Sequence, residues 1–274
     1  MESFVLKVSI VMALASSSAG NFNQDVHITW GGPQRAWIDN GGQVLHLSLD
    51  KQSGSGFASN KMYLYSRFDM QLKLIPGNSA GTVTSFYLSS STGSSDSSHD
   101  EIDFEFLGNS SEQPYTLSTN IFINGEGNRE QQFHLWFDPT KDYHTYTILW
   151  NSTRIIQMVD KIPIRVFNNY VAYKVPFPTS RRMSMIGSLW NADWATQGGK
   201  VKIDWRKAPF KATYQNLNIV DCVVKSTSNS CKGEMNGYDR RLLRWVQEYH
   251  RTYNYCDDKK RYPKGLPKEC AYQK

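Results

Sequence analysis

One octapeptide limits what this chain can fold into more than any other stretch: His99-Asp100-Glu101-Ile102-Asp103-Phe104-Glu105-Phe106. Polar and apolar residues alternate with period two, the pattern of a β-strand with unlike faces. One face carries His99, Glu101, Asp103 and Glu105. The other carries Ile102, Phe104 and Phe106, which can anchor the strand in a core. Three carboxylates beside an imidazole repel one another, so such a row is kept where chemistry or a cation uses it. A cation fits poorly. Hard cations take several oxygen ligands, usually from loops, whereas a straight strand sets its carboxylates in a row.

The rest of the chain reads as all-β. Alternating or aromatic-rich runs recur at residues 43–49, 62–74, 83–88, 101–107, 115–123, 132–137, 144–150, 154–159, 162–167, 183–189, 201–205 and 213–220, with Asp160-Lys161 as a hairpin turn. Many short strands with few helical patterns predict a β-sandwich or jelly roll. The 274 residues, 39% hydrophobic and 13% aromatic, can bury a sizeable core. A Ser/Gly-rich loop, 89–98, precedes the acidic strand. After Cys222 the pattern changes. Leu242, Val246, Tyr249 and Tyr253 recur at helical spacing, with Arg240, Arg244, Gln247 and Arg251 largely on other faces. That predicts an amphipathic helix of about four to five turns.

Residues 1–20 have the make-up of a secretory signal: Lys7, an apolar run over 8–15, then small residues to Gly20. The run is too short to span a bilayer, and no later segment is apolar enough to cross one. The expectation is an exported chain without a membrane anchor, divided into a signal (1–20), a catalytic β-domain (21–220) and an extension (221–274). The four cysteines allow three pairings. The simplest, Cys222–Cys231 and Cys256–Cys270, closes two local loops, each contributing about 3 kcal/mol. No CxxC spacing points to zinc. Asn109-Ser110-Ser111 and Asn151-Ser152-Thr153 are glycosylation sequons, the first directly following the acidic strand. The net charge of +6 favours retention in an acidic polysaccharide matrix. No nucleic-acid motif is present.

Glu101 and Glu105 have Cα atoms about 13 Å apart along a strand. Their side chains can lean toward each other over Asp103. Retaining glycosidases need carboxyl groups about 5–5.5 Å apart and inverting ones about 6.5–9.5 Å, so spacing alone permits either outcome. One Glu must be ionised and the other must hold a proton for the leaving oxygen. Asp103 between them raises a neighbour's proton affinity, and the three should titrate together.

The segment His99–Asn109, HDEIDFEFLGN, resembles the plant xyloglucan endotransglucosylase/hydrolase family, within the β-jelly-roll, concanavalin-like glycoside hydrolases of family 16. The likeness continues through Gly125-Glu126-Gly127-Asn128-Arg129-Glu130-Gln131, Leu135-Trp136-Phe137-Asp138-Pro139-Thr140, Val175-Pro176-Phe177-Pro178, the run from Ser188 to Gly199, and Tyr253-Asn254-Tyr255-Cys256. The resemblance implies a retaining double displacement with Glu101 as nucleophile, Glu105 as general acid then base, and Asp103 as the helper that holds Glu101. It implies glycan contacts at Glu105, Ser118, Thr119, Asn120, Asn128, Arg129, Glu130, Asp193, Trp194, Gly198 and Arg261. It also implies glycosylation at Asn109, the two local disulfides, and no cofactor or metal. The implied partners are a xyloglucan donor and a xyloglucan acceptor. The protein would be a monomer secreted to the cell wall and apoplast. The chain departs from the family pattern at Asn191-Ala192-Asp193-Trp194, which has one acidic residue fewer. It departs too at Lys174 and Arg181-Arg182, where uncharged residues or Gly are usual, and at Ser118, where Gln is common. All lie off the acidic strand and are expected to alter affinity more than chemistry.

Overall fold

A computed structural model describes residues 20–91 and 96–272. The expected export signal lies, but for Gly20, outside the described residues. In chain order the strands are β1 (Val26–Trp30), β2 (Ala36–Asp39), β3 (Val44–Leu49), β4 (Ser55–Tyr63), β5 (Ser66–Lys73), β6 (Thr82–Ser89), β7 (Glu101–Leu107) and β8 (Thr116–Phe122). They continue with β9 (Gln131–His134), β10 (His144–Trp150), β11 (Arg154–Val159), β12 (Ile162–Asn168), β13 (Met183–Asn191), β14 (Phe210–Asp221) and β15 (Arg251–Asn254). Helices α1 (Phe22–Asp25), α2 (Asn229–Lys232) and α3 (Gly237–Tyr249) are peripheral.

Two antiparallel sheets face each other. One runs β1-β4-β13-β6-β7-β8-β9-β15, the other β12-β11-β10-β5-β14-β3-β2. The acidic strand β7 is central in the first. Its apolar face does what the alternation demands: Ile102, Phe104 and Phe106 are fully buried, and Tyr146 of the facing sheet packs edge-on against both Phe rings. This aromatic contact fixes β7 in register and so fixes which face its carboxylates occupy. The hairpin at Asp160-Lys161 forms as expected, with both residues at positive φ, as a two-residue connection between twisted strands requires.

Several sequence expectations need correction. The run 62–74 is two strands, broken at Leu64-Tyr65 where Tyr65 takes a positive φ. Residues 201–205 are not a strand; a 3₁₀ turn, Trp205–Lys207, begins there, capped by the Asp204 side chain. Strands β1, β2 and most of β4 were silent. β4 opens on small residues because Trp30 lies across it: a Cβ on Gly56 would sit 2.3 Å from the Trp30 indole nitrogen. The amphipathic helix is shorter than expected. It starts at an Asn236–Asp239 capping box and stops at Tyr249. Tyr253 instead lies in β15, which hydrogen-bonds to β9 and lengthens the sheet that holds β7 by one strand. The extension is therefore woven into the sandwich as well as packed on it. Cys222–Cys231 and Cys256–Cys270 are both disulfides.

Candidate active site

Neighbouring strands make room around β7. On β6, Ser85, Tyr87 and Ser89 stand opposite Glu105, Asp103 and Glu101. On β8, Ser118 and Asn120 stand opposite Glu105 and Asp103. Because same-face residues pair across strands, the three carboxylates share one wall with small or polar neighbours. They line a hollow of about 210 Å³ with Ser85, Tyr87, Ser188 and Trp190. The Ser85 and Ser188 hydroxyls are 2.6 Å apart, tying β6 to β13 across the floor.

The three carboxylates differ in their surroundings. Asp103 is buried at 5% exposure. Desolvation, then the charges of Glu101 and Glu105, push its pKa well above the ordinary carboxylate range. A side-chain hydrogen bond joins Asp103 to Glu101, raising the first and lowering the second. Glu101 is also raised by desolvation, but the bonds from Ser89 and Asp103 and the nearby His99 oppose that rise. Glu105 has no such relief. Burial, then the charges of Glu101 and Glu130, push it up to about 7. The two glutamates therefore differ in their surroundings: both are raised, Glu101 against opposing hydrogen bonds and Glu105, to about 7, without them.

Second-layer contacts hold this arrangement. His99 stacks on Phe122, its Nδ1 lies 2.9 Å from the Asp96 carbonyl, and its Nε2 is 3.8 Å from Glu101. Gln157, fully buried on the facing sheet, donates to the Asp103 carbonyl at 2.7 Å. Arg165, also buried, donates to the Thr119 carbonyl and hydroxyl and to the Arg129 carbonyl. Its charge favours an ionised Asp103, opposing the larger effect of burial.

The remaining sequence-derived residues fall into two groups. At one end of the sheet, Arg261 from the extension donates to Glu130 at 2.7 Å and to Asn128 at 2.5 Å, and the Tyr262 hydroxyl donates to the Asn128 carbonyl. Asn120 accepts from the Arg129 backbone N–H. At the other end, the turn after β13 holds Asp193, Trp194 and Gly198. Trp194 is 49% exposed, with its ring edge-on to Trp190. The Thr196 hydroxyl pins this turn, donating to Gly108 and accepting from Gly81. Gly198 takes a positive φ in open space.

Two expectations for sugar contact are corrected. Thr119 pairs with Phe104, not with an acidic residue, so its side chain lies on the core face; it is fully buried and donates to the Gln131 carbonyl. Arg129 is 7% exposed, and its guanidinium is used up by Glu269 at 2.6 Å and by the carbonyls of Ile121, Glu126 and Gly127. The two sequons also separate. Asn109 is partly exposed at the mouth of the turn 109–114. Asn151 is buried, with its amide nitrogen donating to the Cys231 and Lys232 carbonyls. Sequence reasoning missed Tyr87, Ser85, Ser188, Gln157, Arg165 and Glu269. Only β6 offered a signal: its polar face is small or aromatic at the spacing of the acidic row.

A two-sheet sandwich with three alternating carboxyl groups facing one hollow from a central strand points to the class of jelly-roll glycoside hydrolases. The model of the glycosyl hydrolases family 16 matches residues 22–207, and that of the xyloglucan endo-transglycosylase (XET) C-terminus matches 225–270. "Xyloglucan endotransglucosylase/hydrolase 2" of Glycine max is 58% identical over 95% of this chain and 93% of its own length. "Xyloglucan endotransglucosylase protein 1" of Diospyros kaki is 56% identical over the same shares. The chain belongs to glycosyl hydrolase family 16 and, within it, to the xyloglucan endotransglucosylase/hydrolases. The solved β-glucanase of Bacillus licheniformis shares the fold, with a TM-score of 0.57 at 23% identity over 73% of this chain and 95% of that one.

Proposed function

We propose that this protein cuts the β-1,4-glucan backbone of xyloglucan and transfers the new end to another xyloglucan chain, remodelling the cell wall. Glu101 attacks the anomeric carbon as Glu105 protonates the departing oxygen, which yields a glycosyl-enzyme and a freed chain end. Glu105, now ionised, removes the proton of an incoming sugar hydroxyl, which attacks the intermediate and regenerates Glu101. Asp103 stays protonated and steadies the Glu101 carboxylate between steps.

The single observation that carries this reading is the shared wall on β7: Glu101, Asp103 and Glu105 line one hollow, with Asp103 hydrogen-bonded to Glu101 and burial raising Glu105 to about 7. Glu105, Ser118, Asn120, Asn128, Glu130 and Arg261 would hold one part of the glycan, with Asp193, Trp194 and Gly198 at the acceptor side. Thr119 and Arg129 would position these residues without touching sugar. The disulfides suit an oxidising compartment, consistent with a secreted monomer acting in the apoplast. Asn109 would carry a glycan there. Mass spectrometry of products from xyloglucan oligosaccharides, with and without labelled acceptor, tests the proposal. Label should enter longer products. Release of reducing ends without incorporation would make the protein a hydrolase, and glycan binding without turnover would make it a lectin.

A further inference from the structure

A second hollow, of about 310 Å³, lies on the other side of the molecule from the acidic strand, between α3 and the β11–β12 hairpin. Strand β12 is the outer edge of the seven-stranded sheet, so this hollow shares no wall with β7. Three guanidinium groups line it: Arg154 at the start of β11, and Arg240 and Arg244, one turn apart on α3. Among the described residues, none of the three has a carboxylate within ion-pair distance. Six arginines elsewhere, Arg35, Arg67, Arg129, Arg206, Arg251 and Arg261, pair with acids, while Arg165, Arg181, Arg182 and Arg241 do not. Arg154 Nη1 donates to the Gly233 carbonyl at 3.3 Å, and its Nε, shielded from solvent, has no hydrogen-bond partner.

The rest of the lining narrows the ligand. Asn168 and Gln247 offer amides, which suit hydroxyl groups, and Val166 and Leu243 provide apolar surface. A compact inorganic anion has no use for apolar walls. A uronic acid does: its ring C–H groups rest on Val166 and Leu243, its hydroxyls meet the amides, and its carboxylate matches a guanidinium fork. The i, i+4 spacing of Arg240 and Arg244 along the helix would serve neighbouring carboxylates of a polymer better than one isolated charge.

We propose that the α3–β12 hollow is a docking site for acidic, uronate-bearing polysaccharide, separate from the catalytic cleft. It would hold the enzyme on a charged matrix while the cleft works on neutral glucan. The net charge of +6 helps approach, and the hollow gives the attraction a fixed address.

The test is titration calorimetry of the full mature protein with oligogalacturonate, for the unaltered protein and for the R240Q/R244Q pair. A K51Q/K61Q pair, two exposed lysines elsewhere, removes the same net charge. The expected result is at least about a tenfold loss of affinity in R240Q/R244Q, little loss in K51Q/K61Q, and unchanged xyloglucan turnover in both. Equal losses in the two pairs would reduce the effect to bulk charge and overturn the site. So would binding of inorganic phosphate as tight as that of oligogalacturonate, or an affinity untouched by R240Q/R244Q in a variant whose melting temperature shows it folded.

Discussion

Strand β7 and the C-terminal extension both concentrate charge where water is scarce, and they use it in opposite ways. In the extension the opposed charges meet. Arg129 and Glu269, at 8% and 3% side-chain exposure, lie 2.6 Å apart, and Arg261 grips Glu130 at 2.7 Å. On β7 carboxyl groups are crowded together, and the His99 imidazole lies 3.8 Å from Glu101. A paired buried charge gains from its partner and acts as a fastener. A crowded one gains by holding a proton, and a held proton can be spent in a reaction. The two regions also touch. Tyr255 of the extension is buried with its ring facing the Arg165 guanidinium, 6.0 Å from centroid to cation, and Arg165 braces β8 from behind.

If the crowding on β7 is catalytic, the largest effect in the molecule belongs to Glu101. E101A should abolish both transfer and hydrolysis while xyloglucan binding persists, and intact-protein mass spectrometry should find no glycosyl-enzyme. Turnover in that variant would break the comparison at its root. E105Q comes next, with a loss of about 10²–10⁴ in rate on natural substrate. The loss should be much smaller with an activated aryl leaving group that needs no proton, and a uniform loss on both substrates would deny Glu105 its role as acid.

The same residue sets a pH signature. Glu105 binds its proton more tightly folded, up to about 7, than unfolded. The native state therefore holds more protons than the unfolded chain between the ordinary carboxylate range and about 7. Glu105 consequently lowers stability as pH rises through that window. Activity should fall above about 7 as the acid ionises. E105Q should flatten the stability loss, and thermal melts at pH 5 and pH 8 would read the difference.

These predictions rest on residues of unequal visibility in the sequence. The alternation in β7 was legible because one strand carries both halves of the message, core anchors and carboxylates. The Asp160-Lys161 turn and the local disulfides were legible because their partners are near in sequence. Strand β4 was not: its small residues exist to admit Trp30, a contact that only the folded sheets create. Tyr253 fitted a helical spacing, yet it pairs across β9 from a distant segment. Thr119 and Arg129 came with a motif, but a motif does not say which face a residue takes. The pairing of Thr119 with Phe104 does.

On the other side of the comparison, R129M should cost stability and spare chemistry. Breaking one partner of a buried pair leaves Glu269 uncompensated, at about 3–5 kcal/mol. The melting temperature should drop sharply, while kcat per folded molecule, measured well below the melt, stays close to that of the unaltered enzyme. A large kcat loss in folded protein would move Arg129 from fastener to site. A smaller effect is expected at the acceptor end, where Trp194 offers an exposed ring. W194A should weaken acceptor binding roughly tenfold and shift products from transfer toward hydrolysis. An unchanged product ratio would remove Trp194 from the acceptor side.

The smallest effects sharpen the comparison most, because Ser118 and Thr119 are neighbours on one strand with opposite facing. Ser118 shares the face of Glu105, and Thr119 shares the face of Phe104. S118A removes one polar group from the sugar wall and should raise KM for xyloglucan by only a few-fold, roughly the worth of one hydrogen bond, with the melt unchanged. T119V keeps the volume but removes the hydroxyl that Arg165 and the Gln131 carbonyl use. It should lower stability by about 1–2 kcal/mol through those unsatisfied partners and leave KM where it was. Measured together, the two variants should give crossed outcomes, one in KM and one in melting temperature. If both moved KM alone, Thr119 would have to reach the cleft, and the assignment of faces on β8, and with it the shared wall of carboxylates on β7, would be wrong.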